Sequence, residues 1–133
     1  MFTIEQIKSA HARTKTGADF PKYAADLKEL GVAAYKTSIS DGHTEYRSSC
    51  GFKLQSDGIY PTLEIAENAD KEKLSYYIKN HQQGGSDFLT LCREAASAGV
   101  EGWEVDLQKF TCTYFSKKGE SILLETIPQD LEN

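Results

Sequence analysis

The sequence is poor in the residues that build metal sites, disulfide frameworks and membrane spans. Its three cysteines, Cys50, Cys92 and Cys112, are an odd number, and none has the C-x-x-C spacing of a zinc site. The longest run of large aliphatic residues is ILL at 122–124, and the first ten residues lack a basic region followed by an apolar stretch. We therefore expect a cytoplasmic protein with reduced thiols, no cofactor or metal, no export signal and no membrane span.

An excess of basic residues is also absent. Lys and Arg number 15 against 20 Asp and Glu, which gives a net charge of −5, and the imbalance belongs to the second half of the chain. Because nucleic-acid binding depends largely on clustered Lys and Arg, we expect no nucleic-acid partner. A composition that is 39% hydrophobic and 26% charged over 133 residues predicts one domain, residues 1–133, with an ordinary apolar core.

What is present is an internal repeat. Sliding the sequence by 68 positions aligns 17–51 with 85–119 without a gap, with eight identities that include Gly31/Gly99 and Tyr46/Tyr114. Bulk is kept at Tyr35/Trp103 as well. The pattern predicts that one supersecondary unit occurs twice, at about 1–66 and 67–133.

Each copy predicts two helices followed by strands. Apolar residues from Phe20 and from Phe88 recur at helical spacing, with Asp19 and Asp87 placed as N-caps and Gly31 and Gly99 just past the helix ends. After each glycine the period changes to two, so that Trp103, Val105 and Leu107 should be buried and Glu104 and Asp106 exposed. Hairpins lead into further strands, the third of which we expect at 59–65 and 121–127. The predicted fold is α+β, made of two fused pseudo-symmetric units, each with two helices and a three-stranded antiparallel meander.

Candidate catalytic groups have plainer structural interpretations. Cys112 and Cys92 lie on apolar faces, which favours buried small hydrophobes over reactive thiols. His11 and His81 end the first helix of each copy, where a cation is electrostatically favoured, although a metal site would be feasible if the two ends met. The carboxylates Glu101, Glu104, Asp106 and Glu125 are interpreted as the solvated face of strands.

Tyr46 and Tyr114 occupy equivalent strand positions and are either cross-strand packing partners or the lining of a cleft where the halves join. We predict Tyr46, Tyr114, His43 and Arg47 as binding residues and assign no catalytic or metal-binding residue. The alternative is a small hydrolase-like enzyme in which His43 acts with Cys50 or a carboxylate at the junction of the two halves.

The stretch AGVEGWEVDLQKFTCTYFSKKGESILLETIP, with the ADF helix start near residue 18, resembles an uncharacterised bacterial family often labelled "phage envelope protein". The resemblance covers nearly the whole chain. It implies a prophage or mobile-element ancestry and carries no established activity, ligand or catalytic residue.

The leading hypothesis is a non-enzymatic binding or interaction module. Its partner is an unknown protein or small-molecule ligand, without nucleic acid or membrane, and a homodimer is left open.

Overall fold

The computed structural model describes residues 2–12 and 20–127. These residues form four helices and six strands, in the order α1 (Ile4–Ala12), α2 (Phe20–Leu30), β1 (Val32–Ser38), β2 (Thr44–Ser48), β3 (Lys53–Gln55), α3 (Lys71–Gln82), α4 (Phe88–Ser97), β4 (Val100–Asp106), β5 (Thr111–Ser116) and β6 (Ser121–Thr126). The α+β class and the repeated order of helix, helix and strands are therefore confirmed.

All six strands belong to one antiparallel sheet with the order β3-β2-β1-β4-β5-β6. The two meanders are joined through their first strands, so each half of the chain supplies one half of the sheet. The helices pack on one face, where α2 contacts β1 and α4 contacts β4. The buried core lies between this helical layer and the sheet.

The register between β1 and β4 shows the pseudo-twofold symmetry directly. Lys36 is opposite Glu104, and these two residues are equivalent in the repeat. The flanking pairs, Tyr35 with Val105 and Thr37 with Trp103, exchange with each other when the halves are exchanged. A pseudo-twofold axis therefore passes through the Lys36/Glu104 pair.

The pairing of the first two strands is also the same in both halves. Tyr35 is opposite Tyr46 in the first half, and Trp103 is opposite Tyr114 in the second. Each pair of strands has one irregularity, between residues 32 and 34 and between residues 100 and 102, which are equivalent positions. A chance alignment would not reproduce both a register and a bulge, so the structure supports duplication.

The predicted helix ends are present where the structure describes them. Gly31 has φ +104° and Gly99 has φ +86°, the left-handed conformation expected just after a helix. The Asp87 carboxylate accepts a hydrogen bond from the Thr90 N–H at 2.8 Å, as an N-cap does. The corresponding prediction for Asp19 lies outside the described residues.

The two faces of β4 follow the predicted alternation. Trp103, Val105 and Leu107 are buried against the helices. Glu104 and Asp106 lie on the other face, but they are half-exposed rather than fully exposed. Glu104 accepts a hydrogen bond from Arg47, and Asp106 accepts the N–H groups that begin the next turn, so both carboxylates are partly covered by their own partners.

The third strand of the first half was predicted in the wrong place. It is the three-residue β3, and residues 59–65 form no strand. The N–H groups of Ile59 and Leu63 donate instead to the carbonyls of Asp41 and Ser40 in the hairpin, and Pro61 has no N–H to offer a neighbouring strand. We call residues 56–70 the linking segment, because they connect the two halves over the helical side of the molecule.

Within the described ranges 2–12 and 20–127, no helix is both long and apolar enough to cross a lipid bilayer.

Candidate functional site

A cavity of about 410 Å³ lies between the helical layer and the sheet, where the two halves meet. We call it the junction cavity. Its lining comes from all four helices and from the four central strands, with Ser56 and Ile59 of the linking segment closing one side. Because both halves contribute, the cavity is a product of the duplicated fold rather than of one repeat.

Aromatic rings form most of the inner wall. Tyr35 packs on Tyr46 with ring centroids 5.6 Å apart, and the equivalent pair in the second half, Trp103 and Tyr114, is 5.9 Å apart. Phe88 meets the edge of Trp103 at 6.0 Å. The two strand pairs are related by the repeat, so the cavity has matching aromatic walls on either side of the pseudo-twofold axis.

Several polar groups in this wall are paired with each other. The hydroxyls of Thr37 and Thr44 are 2.9 Å apart and buried. The Tyr23 hydroxyl is hydrogen-bonded to Tyr46, and burial is the main reason that the pKa of Tyr23 is raised far above its usual value. These phenols and alcohols stay neutral near pH 7, which keeps this part of the cavity uncharged.

The histidines that end the first helix of each copy both line the junction cavity. The His11 ring lies edge-on to Tyr23 at 5.5 Å and to Phe88 at 6.2 Å, near the exposed rim. His81 is half-buried, and its Nδ1 is 3.0 Å from the Ser86 carbonyl oxygen. Burial lowers the pKa of His81, against the opposing effects of the Ser86 hydrogen bond and nearby Asp87 and Glu94.

The four predicted binding residues divide between the two faces of the sheet. Tyr46 and Tyr114 line the junction cavity while also packing on their cross-strand neighbours, so the two interpretations of these tyrosines are compatible. His43 and Arg47 are on the opposite face. Arg47 donates to Glu104 at 2.6 Å, which occupies its guanidinium in a contact between strands.

His43 lies in a second, open cleft of about 550 Å³ on the face of the sheet away from the helices. We call this the outer cleft, and Lys36, Glu45, Glu101 and Phe115 line it as well. The Asp41 carboxylate accepts a hydrogen bond from the His43 backbone N–H at 3.0 Å and lies 2.6 Å from the His43 ring, and these two contacts lower the pKa of Asp41.

The proposed pairing of His43 with Cys50 is not formed. The two residues lie beyond opposite ends of β2, whose five extended residues span roughly 16 Å. Cys50 is exposed in the following turn, where the Ser48 hydroxyl is 3.2 Å from its sulfur and lowers the pKa of the thiol. Among the described residues, the side-chain partner of the His43 ring is Asp41.

The other two thiols are buried. Cys92 lies in α4 and Cys112 in β5, and burial raises the pKa of Cys92 to about 11 and that of Cys112 to about 12. A thiol that is neutral at pH 7 is a poor nucleophile. Cys112 contributes to the wall of the junction cavity as a small apolar side chain.

Glu125 is on the opposite face of the sheet from the one predicted. It is directly across from Cys112 in the β5/β6 register and so lies on the helix-covered side. Burial raises the pKa of its carboxyl group, and a hydrogen bond from Gln82 of α3 opposes that shift. Its interpretation as part of a solvated carboxylate row was wrong because an irregularity between Tyr114 and Phe115 sets the phase of β6.

Although His11 and His81 do meet at one cavity, they do not complete a metal centre. In the parts of the chain that are described, no three His, Cys, Asp or Glu side chains are grouped so that they could hold a metal ion.

Reasoning from sequence did not assign the helix residues of the cavity to a site. Phe88, Leu91, Ile78 and Tyr23 were part of apolar stripes, which are equally typical of a filled core. The pattern indicates which face of a helix turns inward, but it does not indicate that the space beneath remains open.

The chain matches a protein-family model over most of its length. A family model described as "Protein of unknown function (DUF1398)" matches residues 8–126. Its description names no activity, and nothing in it links the chain to phage envelope proteins. A search of curated proteins finds no match.

Proposed function

We propose that this chain, which belongs to the DUF1398 family of proteins of unknown function, is a non-enzymatic module that binds a small, largely apolar molecule. The observation that carries this proposal is the junction cavity, about 410 Å³ in volume and walled by aromatic rings from both halves. Small-molecule sites are typically apolar cavities of about 300 to 1,000 Å³ with a few polar groups.

The cavity wall is suited to binding rather than catalysis. The buried hydroxyls of Thr37 and Thr44 are paired with each other, and the Cys112 thiol has a raised pKa. An apolar ligand would gain about 25 cal/mol for each Å² of apolar surface removed from water, less the cost of its immobilisation.

The alternative hydrolase keeps one contact in its favour, the 2.6 Å pair of His43 and Asp41 in the outer cleft. This pair lies on the other face of the sheet from the junction cavity. We therefore expect His43→Ala to leave ligand binding in the junction cavity unchanged. A loss of binding in that variant would favour the outer cleft as the site.

The cytoplasmic setting and the prophage or mobile-element ancestry are part of the same proposal. They are supported by the residue pattern at 98–128, by the free thiols and by the sequence features described first. A protein partner, in place of a small ligand, would have to use the exposed surface, because the junction cavity is too small for a folded element.

The test is isothermal titration calorimetry with two naphthalene probes of similar shape, 1-methylnaphthalene and 1-naphthol. We expect each to bind with a stoichiometry of one. Leu91→Phe in α4 and Ile78→Phe in α3 add atoms to the helical wall of the cavity and should each weaken binding about tenfold or more.

Leu124→Phe is the matched control. It makes the same change as Leu91→Phe at an exposed site on β6, where Leu124 is 58% accessible. The control should bind both probes as the wild type does, and circular dichroism should show that all three variants are folded. Equal affinity in the wild type and in folded Leu91→Phe and Ile78→Phe would contradict the proposal.

A further inference from the structure

The polar side chains of the junction cavity differ in whether their atoms already have a hydrogen-bond partner within the protein. Thr37 pairs with Thr44, and Tyr23 pairs with Tyr46, so these hydroxyls have partners without any ligand. His81 is different, because both of its polar contacts with the described residues use the same ring nitrogen. Nδ1 is 3.0 Å from the Ser86 carbonyl oxygen and 3.2 Å from the Ser86 hydroxyl.

The carbonyl contact decides where the proton of the ring sits. A carbonyl oxygen only accepts hydrogen bonds, so Nδ1 must carry the hydrogen and donate it to Ser86. In the neutral ring, Nε2 then carries a lone pair that can accept a hydrogen bond. The lowered pKa of His81, caused mainly by burial, agrees with a neutral ring at pH 7.

The charges around the cavity favour neither sign of ionic ligand. Lys8 of α1 and Asp87 at the start of α4 both line it, so a carboxylate and an ammonium would each meet one like and one opposite charge. The aromatic walls, in contrast, offer ring faces and edges on both sides of the pseudo-twofold axis. A neutral, flat molecule satisfies both conditions.

From this arrangement we propose that the ligand is a neutral aromatic compound with a hydroxyl group, and that the hydroxyl donates a hydrogen bond to Nε2 of His81 while the ring packs between the aromatic walls. The proposal rests on the proposed function, since it uses the same cavity. It adds the chemical class of the ligand and assigns to His81 the recognition of the hydroxyl group.

The experiment compares 1-naphthol with 1-methylnaphthalene by calorimetry in the wild type and in His81→Phe. The two probes have nearly the same shape, but the methyl compound has no hydrogen to donate. The two probes differ in their free energy of hydration, and this difference contributes to the ratio of their affinities for any one protein. The contribution is the same for the wild type and the variant, so it cancels when their two ratios are compared. We expect the preference for 1-naphthol to fall about fivefold to tenfold in His81→Phe, as for the loss of one buried hydrogen bond.

His11→Phe is the control, because His11 lines the same cavity from the helix that corresponds to α3. Its affinity ratio should remain that of the wild type. His81→Leu also lacks an acceptor and repeats the measurement if the larger ring disturbs α3.

The outcomes separate the two proposals. If both probes bind and the ratio is unchanged in both His81 variants, the recognition of a hydroxyl by His81 is wrong and the cavity proposal stands. If neither probe binds the wild-type protein, both proposals are overturned. If the ratio falls as much in His11→Phe as in His81→Phe, the effect belongs to the cavity as a whole and the assignment to His81 is overturned.

Discussion

The two halves of the molecule share a backbone path but differ in how the end of their second helix is covered. In the second half, the N–H groups of Ala66 and Asp70 in the linking segment donate to the carbonyls of Ala96 and Ala98, at 2.9 Å each. These carbonyls are among those that a helix leaves without partners at its C-terminal end. The bond from the Gly31 N–H to the Lys28 carbonyl at the end of α2 has its equivalent in the second half, from Gly99 to Ala96, so the bonds from the linking segment are additional to a shared helix end.

This difference in cover is accompanied by a difference in side-chain size at matching positions of the two helices. Tyr23 and Leu27 of α2 correspond to Leu91 and Ala95 of α4, so the covered helix has the smaller side chains. The linking segment reaches the end of α4 through these backbone bonds, and the Tyr60 phenol in this segment lies beside Cys92 of α4. The two copies thus keep the same fold, although one copy has smaller side chains at these positions and a neighbouring segment packed beside it.

The largest contrast between the halves should be in thiol reactivity. Cys50 is in an exposed turn of the first half, whereas Cys92 and Cys112 are in the core of the second. Iodoacetamide at pH 8 should label Cys50 at least about a hundredfold faster, because the buried thiols react only through opening of the fold. Mass spectrometry of the native protein over time measures the three rates.

The same reaction in denaturant without a reductant tests the expectation that the thiols are reduced. All three should then be labelled. Fewer than three labels would indicate a disulfide, and equal rates in the native protein would mean that the second half is less well packed than described.

The second-largest contrast should be in the stability cost of replacing the glycine that follows the second helix of each half. A Cβ on Gly99 would lie 2.6 Å from the Asn68 carbonyl oxygen and 2.7 Å from Ala69 Cα, whereas one on Gly31 meets no described atom within 4 Å. Both have positive φ, so Gly31→Ala should cost about 1 kcal/mol and Gly99→Ala about 3 kcal/mol or more in the free energy of unfolding.

Urea denaturation of the two variants measures both costs, and Gly31→Ala is the matched control for the backbone conformation itself. Equal losses of unfolding free energy in the two variants would show that the linking segment does not pack closely against the end of α4.

The linking segment should also depend on one phenol. The Tyr60 hydroxyl donates to the Ile39 carbonyl at 2.6 Å, which ties the segment to the hairpin of the first half. Tyr60→Phe should therefore lower the free energy of unfolding by about 1 kcal/mol. Tyr76→Phe, at an exposed helix position, is the control and should change it little. Equal stability of the two variants would argue against a tethering role for this hydrogen bond.

The smallest effect is expected on the outer face, where Arg47 of the first half reaches Glu104 of the second. Both side chains are about one-third accessible, so Arg47→Gln should cost less than about 1 kcal/mol. It should leave the affinity for 1-naphthol unchanged, as judged by calorimetry. A clear loss of affinity would restore Arg47 as a binding residue.

Much of the fold follows from local patterns, because helical stripes, a cap and left-handed glycines each have a distinct sequence signature. The repeat added the prediction that both halves follow the same order of helices and strands. The third strand of the first half was misplaced because residues 59–65 are apolar enough for a strand, while their N–H groups are directed to the hairpin by contacts that no local pattern contains.

For the site, the alternating pattern of β2 already indicates that the predicted binding residues in and beside this strand lie on two different faces of the sheet. Thr44 and Tyr46 face inward, so His43 and Arg47, at the other parity, had to face outward. Glu125 offered no such signal, because three apolar residues precede it without alternation. The open cavity and the role of the Ser86 carbonyl depend on distances between elements, which sequence patterns do not give.

The most direct test of a binding site shared by the two halves is a chemical-shift titration of ¹⁵N-labelled protein with 1-naphthol. We predict saturable changes at amides of both halves, around Tyr23 and Tyr46 and around Phe88, Trp103 and Tyr114, with the outer-cleft amides of Lys117 and Gly119 unaffected. Changes confined to one half, or centred on the outer cleft, would contradict a ligand site at the junction of the duplicated units.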